Sequence, residues 1–209
     1  MKFSVIVPAH NEQAVIAKAL SSIRQQTFTD YEVIVVCDAC IDNTKEIAKS
    51  YEAKVIEIDA HSSGAARNAG LDAAQGDWIL FCDADDWYLH EYVFEMLADK
   101  LGRENEDALF FSLIWKNMGY GAIRSPKGSI YTHVANKCWK RSSIGATRFP
   151  SQKEVVGEDS DFFNQMMAKN LKIVEWEMPL YYYNWLRPGS KSAVLGRNPE
   201  RSKTYWSNH

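Results

Sequence analysis

The chain has 209 residues, 46% hydrophobic and 24% charged, with a formal net charge of −3. That length fits one large domain, or one with an appendage, able to bury a sizeable core, and the composition is ordinary for a soluble globular protein. No apolar run reaches the roughly 18 residues that cross a bilayer, the opening run meets Pro8 too soon for a secretory signal, and an acidic chain without nucleic-acid-binding motifs argues against a nucleic-acid partner.

Phe3 to Val7 is a β-prone apolar run stopped by Pro8, and Asn11 is placed to cap a helix carrying Val15, Ile16, Ala19, Leu20 and Ile23 on one face. Glu32 to Cys37 gives a second strand, with Asp42 or Asn43 capping a helix that bears Ile47, Ala48 and Tyr51. Lys54 to Ile58 gives a third, followed by a helix through Ala65, Ala66, Ala69 and Ala73. Trp78 to Cys82 is unbroken apolar sequence and reads as a strand covered on both faces. It ends in Asp83, Asp85 and Asp86.

A helix near Tyr88 to Leu101 and a strand from Ala108 to Trp115 follow, after which the alternation fails. Gly119, Gly121, Pro126 and Gly128 mark turns or a hairpin, and Thr132 is placed to cap a short helix reaching Lys140. Glu158 to Lys169 forms a helix that buries Phe162, Phe163, Met166 and Met167. Leu180 to Trp185 reads as a late strand, and Arg187 to His209 as loop or frayed helix.

Strands alternating with amphipathic helices predict an α/β fold, with a mostly parallel sheet and helices on both faces. Ligands of such sheets bind outside the carboxyl ends of the strands, here the loops Pro8–Asn11, Asp38–Asp42, His61–Gly64 and Asp83–Asp86. Clustered carboxylates repel, so the acids after the fourth strand call for a cation. Residues i and i+2 of an extended chain point the same way, which turns Asp83 and Asp85 toward one crevice. Hard oxygen ligands select Mg²⁺ or Mn²⁺; the alternative is that these acids, Asp86 above all, cap the next helix. Cys37-Asp38-Ala39-Cys40 has the spacing of a redox pair, and without a second such pair a structural zinc site is not expected.

Charge is unevenly spread. Residues 1–107 hold 20 acids and 9 Lys/Arg, residues 108–153 hold 8 Lys/Arg and no acid, and residues 154–209 hold seven of each. The basic stretch, Lys116, Arg124, Lys127, Lys137, Lys140, Arg141, Arg148 and Lys153, would attract an anionic acceptor or an anionic membrane surface, or else pair with the acidic front half. A cytoplasmic protein, peripheral on the inner face of a membrane in the second case, is the expected location.

Taken in order, Val5-Ile6-Val7-Pro8-Ala9-His10-Asn11-Glu12, Asp38 with Asp42, Gly64-Ala65-Ala66-Arg67-Asn68-Ala69-Gly70, Asp83-Ala84-Asp85 and Gly157-Glu158-Asp159 resemble the GT-A glycosyltransferases of family 2. The resemblance spans roughly residues 3–190. It implies a Rossmann-like GT-A sheet with a smaller mixed acceptor-side region: residues 1–107 as the nucleotide-sugar half and 108–209 as the acceptor half of one domain. It also implies a nucleotide-diphospho-sugar donor, usually a UDP-sugar, a Mn²⁺ or Mg²⁺ ion, a saccharide or lipid-linked acceptor, and transfer with inversion.

By that resemblance Pro8 and Ala9 contact the nucleobase, and Asp38 accepts the N3 hydrogen of a uracil. Arg67 and Asn68 hold the nucleotide end of the donor, although Arg67 can equally pair with a crevice aspartate. Asp83 faces the ribose or the metal's water shell, Asp85 ligates the ion, and Asp159 is the base that deprotonates the acceptor. Arg187, with Ser190 and Ser192, supplies phosphate contacts from a lid. Glu158 or Asp161 can equally serve as the negative charge at that helix start. The chain departs from the family where Cys37 and Ala39 flank Asp38, which leaves the cysteine pair a coincidence, and where Asn184 follows Tyr183. The competing readings are a sugar-phosphate nucleotidyltransferase, which should show a glycine-rich loop after the first strand, a phosphohydrolase, which should place its Asp-x-Asp there, and a binding protein without turnover.

Overall fold

Alternation along three central strands sets the layers. In β1 (Phe3–Ala9) Phe3, Val5, Val7 and Ala9 enter one core and Ile6 the other. β2 (Tyr31–Asp38) divides Val33, Val35 and Cys37 from Ile34 and Val36, and β4 (Trp78–Phe81) divides Trp78 and Leu80 from Ile79 and Phe81. Strands buried on both faces must be apolar at every position, and these read as continuous apolar runs for that reason. The computed structural model describes residues 2–103, 105–117, 120–124, 132–152 and 157–184.

The first core is closed by α1 (Ile16–Arg24), α2 (Thr44–Ser50) and α4 (Val93–Lys100), the second by α3 (Ser63–Ala73) and α6 (Glu158–Met167). The other strands are β3 (Lys54–Ile58), β5 (Trp87–Tyr88), β6 (Ala108–Asn117), β7 (Tyr120–Arg124), β8 (Lys137–Lys140) and β9 (Ile173–Tyr183), and a short α5 (Arg141–Ile144) follows β8. The sheet runs β3-β2-β1-β4-β8-β6-β9-β5, with β7 paired to β6. It is parallel from β3 to β4, and beyond β4 it is mixed: β8 is antiparallel to both β4 and β6, while β6 and β9 run parallel. This is the α/β arrangement expected, with its mixed region at the second half.

Several local expectations are corrected. Thr132 to Lys140 is not a helix: Lys137–Lys140 is strand β8, wedged between β4 and β6, with Cys138 in one core and Trp139 in the other. Only a strand can feed both cores with consecutive residues. The late strand begins at Ile173 rather than Leu180; exposed Glu175 and Glu177 mask it in sequence, and Pro179 sits where its register against β6 shifts. The strand pair β5 occupies the start of the helix expected from Tyr88. Asn11 does not cap α1: that helix begins at Ile16 without a side-chain cap, and the Asn11 Oδ1 accepts from the Ile41 N–H at 2.9 Å. Trp185 and the segment from Arg187 onward lie outside the described residues.

Two glycines let α3 approach its neighbours. A Cβ on Gly70 would lie 2.3 Å from Ile6 Cγ2, and one on Gly64 would lie 1.9 Å from the Pro150 carbonyl oxygen. Backbone cannot turn aside as a side-chain tip can. Gly64→Ala is therefore expected to destabilise the chain by about 1–3 kcal/mol, read as a lower urea midpoint with an unchanged denaturant slope.

Candidate active site

The loops at the carboxyl ends of β1, β2 and β3 are tied together by hydrogen bonds. The Asp38 carboxylate, 2% exposed, accepts from the backbone N–H groups of Ala60 at 2.7 Å, His61 at 2.9 Å and Ser62 at 2.6 Å. These bonds hold His61 in the left-handed region at φ 49°. His10 Nδ1 lies 2.6 Å from the Asp38 carbonyl oxygen, and its ring meets that of His61 edge-on at 5.7 Å. Pro8 is half-buried and Ala9 buried in the floor of the same corner, where the Cys40 thiol donates to the Ala9 carbonyl. Cys37 and Cys40 are free thiols; their mutual hydrogen bond raises the pKa of Cys37 and lowers that of Cys40. His10 and His61 were not among the expected site residues; their signal in the sequence is their place in two of the four strand-end loops.

Arg67 is the centre of the site. Trp78, Leu80, Cys82 and Ala84 belong to the first core, which turns Ile79, Phe81 and then Asp83 toward the face that α3 and α6 cover. Arg67, on α3 and 5% exposed, places Nη2 3.0 Å from Asp83 Oδ1, and Nη1 3.3 Å from Glu158 Oε1 and 3.2 Å from Asp159 Oδ1. One guanidinium thus joins the end of β4 to the first turn of α6. Burial acts to lower its pKa, but the charges of Asp159, Asp83 and Glu158 outweigh burial and raise it. Beneath it lies the Phe149 ring, 5.5 Å from the guanidinium carbon. Asn68 fixes that ring's backbone: its amide donates to the Phe149 carbonyl and accepts from the Phe149 N–H, each at 2.9 Å. Both ends of the Asn68 side chain are engaged there, so in this structure it supports Arg67's platform.

The chain leaves the extended conformation at Asp83, where a turn closes with the Asp86 N–H donating to the Asp83 carbonyl at 3.0 Å. The position of half-buried Asp85 is therefore set by a turn and not by strand alternation. Asp86 caps no helix. It is fully buried, accepting from the Tyr181 hydroxyl at 2.8 Å and the Asn184 N–H at 2.8 Å, while Tyr181 in turn accepts from the Asp83 N–H at 3.0 Å. Burial pushes the Asp86 carboxyl well above the usual range, and the charges of Asp83 and Asp85 push it further. The third acid thus anchors the end of β9 beneath the other two.

Asp83 and Asp85 fit a hard divalent ion: both are half-buried carboxylates at one strand end, and their shared charge is felt by Asp86. Among the described residues no group of three or more His, Cys, Asp or Glu is placed to hold a metal ion.

The basic middle of the chain divides in the structure. Lys137 is wholly buried, so it is no part of a charged surface. Arg148 pairs with Asp72 of the front half at 2.6 Å, and Lys140, Arg141 and Arg148 line a cavity of about 500 Å³ beside Asp77. That cavity sits at the start of β4, about 20 Å along the strand from Asp83. Lys127, Lys153 and Arg187 lie outside the described residues, and no helix among the described residues is long and apolar enough to cross a membrane.

The family model "Glycosyl transferase family 2" matches residues 4–169. The chain is 31% identical over 208 residues to the putative glycosyltransferase EpsH of Bacillus subtilis, covering 86% of this chain and 60% of that protein. It is 34% identical over 221 residues to the poly(ribitol-phosphate) beta-N-acetylglucosaminyltransferase TarS of Staphylococcus aureus, covering 96% of this chain and 38% of TarS. The crystal structure of S. aureus TarS superposes with a TM-score of 0.77 at 25% identity, over 88% of this chain and 37% of that one. A glucosyl-3-phosphoglycerate synthase from Mycobacterium tuberculosis, solved with Mn²⁺ and UDP, shares the fold at a TM-score of 0.63 and 17% identity, over 97% of this chain and 78% of that one. The chain thus spans less than two thirds of EpsH and well under half of TarS. With a GT-A sheet, and a family match that runs from the first strand through the acids on Arg67 to the end of α6, the chain belongs to glycosyl transferase family 2.

Proposed function

We propose that this chain moves a sugar, with inversion, from a nucleotide-diphosphate donor, a UDP-sugar, to an acceptor hydroxyl on a saccharide or lipid-linked substrate. The observation that carries the reading is the convergence on Arg67 of Asp83, at the donor end of a parallel sheet, and Asp159, at the start of the helix facing it. Pro8, Ala9 and the loop that Asp38 braces would form the nucleobase corner, and Arg67 would hold the nucleotide end of the donor. Residues 1–107 are the donor half and the remainder the acceptor half.

Asp83 and Asp85 would hold a Mn²⁺ or Mg²⁺ ion, whose charge offsets that gathering on the departing diphosphate. Asp159 takes the proton of the acceptor hydroxyl as its oxygen bonds to the anomeric carbon. The bond from that carbon to the phosphate oxygen breaks on the opposite face, and the electron pair leaves with the nucleoside diphosphate. Arg67, 3.2 Å from Asp159, favours the ionised carboxylate that this step needs.

Calorimetric titration of UDP, GDP and CDP, with and without Mn²⁺, tests the donor site. UDP is expected to bind with Mn²⁺ present and to lose most of its affinity without it. Failure of all three nucleotides to bind under either condition would overturn the assignment. TarS, whose residues 1–349 were solved in complex with UDP-GlcNAc, makes that nucleotide sugar the first donor to try, with UDP release as the readout.

A further inference from the structure

The turn that carries Asp83 and Asp85 is held at both ends by one hydroxyl. Tyr181 Oη accepts from the Asp83 N–H at 3.0 Å and donates to Asp86 Oδ2 at 2.8 Å. Asp86 Oδ1 accepts from the Asn184 N–H at 2.8 Å, and the Leu89 N–H donates to the Leu180 carbonyl at 3.1 Å, so the loop after β4 is stitched to the last residues of β9. The Asp86 N–H closes the turn onto the Asp83 carbonyl. That bond sets the chain reversal, and the hydroxyl sets how the turn sits on the sheet.

β9 is shaped to deliver this side chain. Ser112 of β6 pairs with Pro179 and Leu113 with Tyr181, so β9 carries Leu180 as an extra residue between the two pairs. An extra residue re-aims the side chains beside it. Leu180 and Tyr181 accordingly enter the first core in succession, where a regular strand would send them to opposite faces. Tyr181 is fully buried and meets the Tyr88 ring edge-on at 5.5 Å. Phenylalanine would fill similar space, so packing alone does not call for the hydroxyl. The neighbouring Tyr88 hydroxyl, also buried, has no hydrogen-bond partner among the described residues.

We propose that Tyr181 is a positioning residue for the divalent ion: its hydroxyl fixes the turn from Asp83 to Asp86 so that the Asp83 and Asp85 carboxylates are presented together. The inference rests on the reading of those two acids as ion ligands. Arg67 does not make Tyr181 redundant. Arg67 holds the Asp83 carboxylate at 3.0 Å, whereas Tyr181 holds the backbone of Asp83 and the side chain of Asp86, the residues that flank Ala84 and Asp85 on either side.

The test measures UDP binding by calorimetry over a Mn²⁺ series in wild type, Tyr181→Phe, Asp86→Asn and Tyr88→Phe, each shown to be folded by its thermal transition. In Tyr181→Phe the Mn²⁺ concentration that half-restores UDP affinity is expected to rise about tenfold, UDP affinity without Mn²⁺ to stay within about twofold, and saturating Mn²⁺ to recover the wild-type affinity. Asp86→Asn loosens the same link from its other end, so it should move the same way, and it carries the comparison if Tyr181→Phe does not fold. Tyr88→Phe should match the wild type. A folded Tyr181→Phe, or in its place Asp86→Asn, with the wild-type Mn²⁺ requirement overturns the proposal. An equal rise in Tyr88→Phe does so too, since the effect is then one of packing. Wild-type UDP binding that ignores Mn²⁺ removes the ion reading itself and this inference with it, whereas the other two results leave that reading standing.

Discussion

Asp159→Asn is expected to lower kcat for UDP release from UDP-GlcNAc by about two to four orders of magnitude while leaving the UDP dissociation constant within about twofold. Asparagine keeps the shape of the side chain and its contact with Arg67 but cannot take a proton. Two neighbouring acids, Glu158 and Asp161, carry the same charge in the first turn of α6 and differ from Asp159 in exposure and pairing. Asp161 is exposed, and Glu158 is buried against Arg67 with its side chain 11% accessible. Asp159 is 23% accessible and pairs with the same guanidinium, so it combines a held position with more exposure than Glu158. Glu158→Gln should therefore cost mainly stability. Wild-type turnover by Asp159→Asn, with UDP binding intact, would remove the base from the mechanism.

The front half of the fold was legible because its chemistry is local. Val5-Ile6-Val7, Val33 to Val36 and Trp78 to Phe81 are buried on both faces and had to be apolar throughout, and each ends in a loop whose polar residues stand out against that background. The second half was less legible because its strands are defined by partners distant in sequence. β8 carries lysines at both ends and is a strand only because β4 and β6 flank it. The pairing of Asp86 with Tyr181 and Asn184 joins residues more than ninety positions apart, and no spacing rule reaches that far. The alternative of a crevice salt bridge for Arg67 was present in the residues themselves, but that one side chain would collect acids from both halves was not. Lys137 shows the same limit from the other side: counted with a basic surface by composition, it is a core residue once β8 is placed.

Arg67→Met is expected to lower stability by about 3–5 kcal/mol at neutral pH, because Asp83, Glu158 and Asp159 then face one another without a cation. In the wild type the carboxylates hold the Arg67 pKa above its ordinary value, so its stabilising contribution is complete at every pH below the ordinary arginine range. In the variant the sign reverses onto the acids. Their folded-state pKa values rise above the unfolded values near about 4, so the penalty is absent below that point and grows as pH climbs toward neutrality. Urea midpoints of wild type and variant should therefore converge toward pH 4 and separate toward pH 7. A divalent ion bound at Asp83, as proposed, would supply the charge that the variant lacks there. Millimolar Mn²⁺ should then raise the Tm of Arg67→Met by more than that of the wild type, by mass action on the folded state alone. Equal Mn²⁺ shifts in the two proteins would mean that the ion and Arg67 do not meet at Asp83, and that the metal site must be sought elsewhere than at the end of β4.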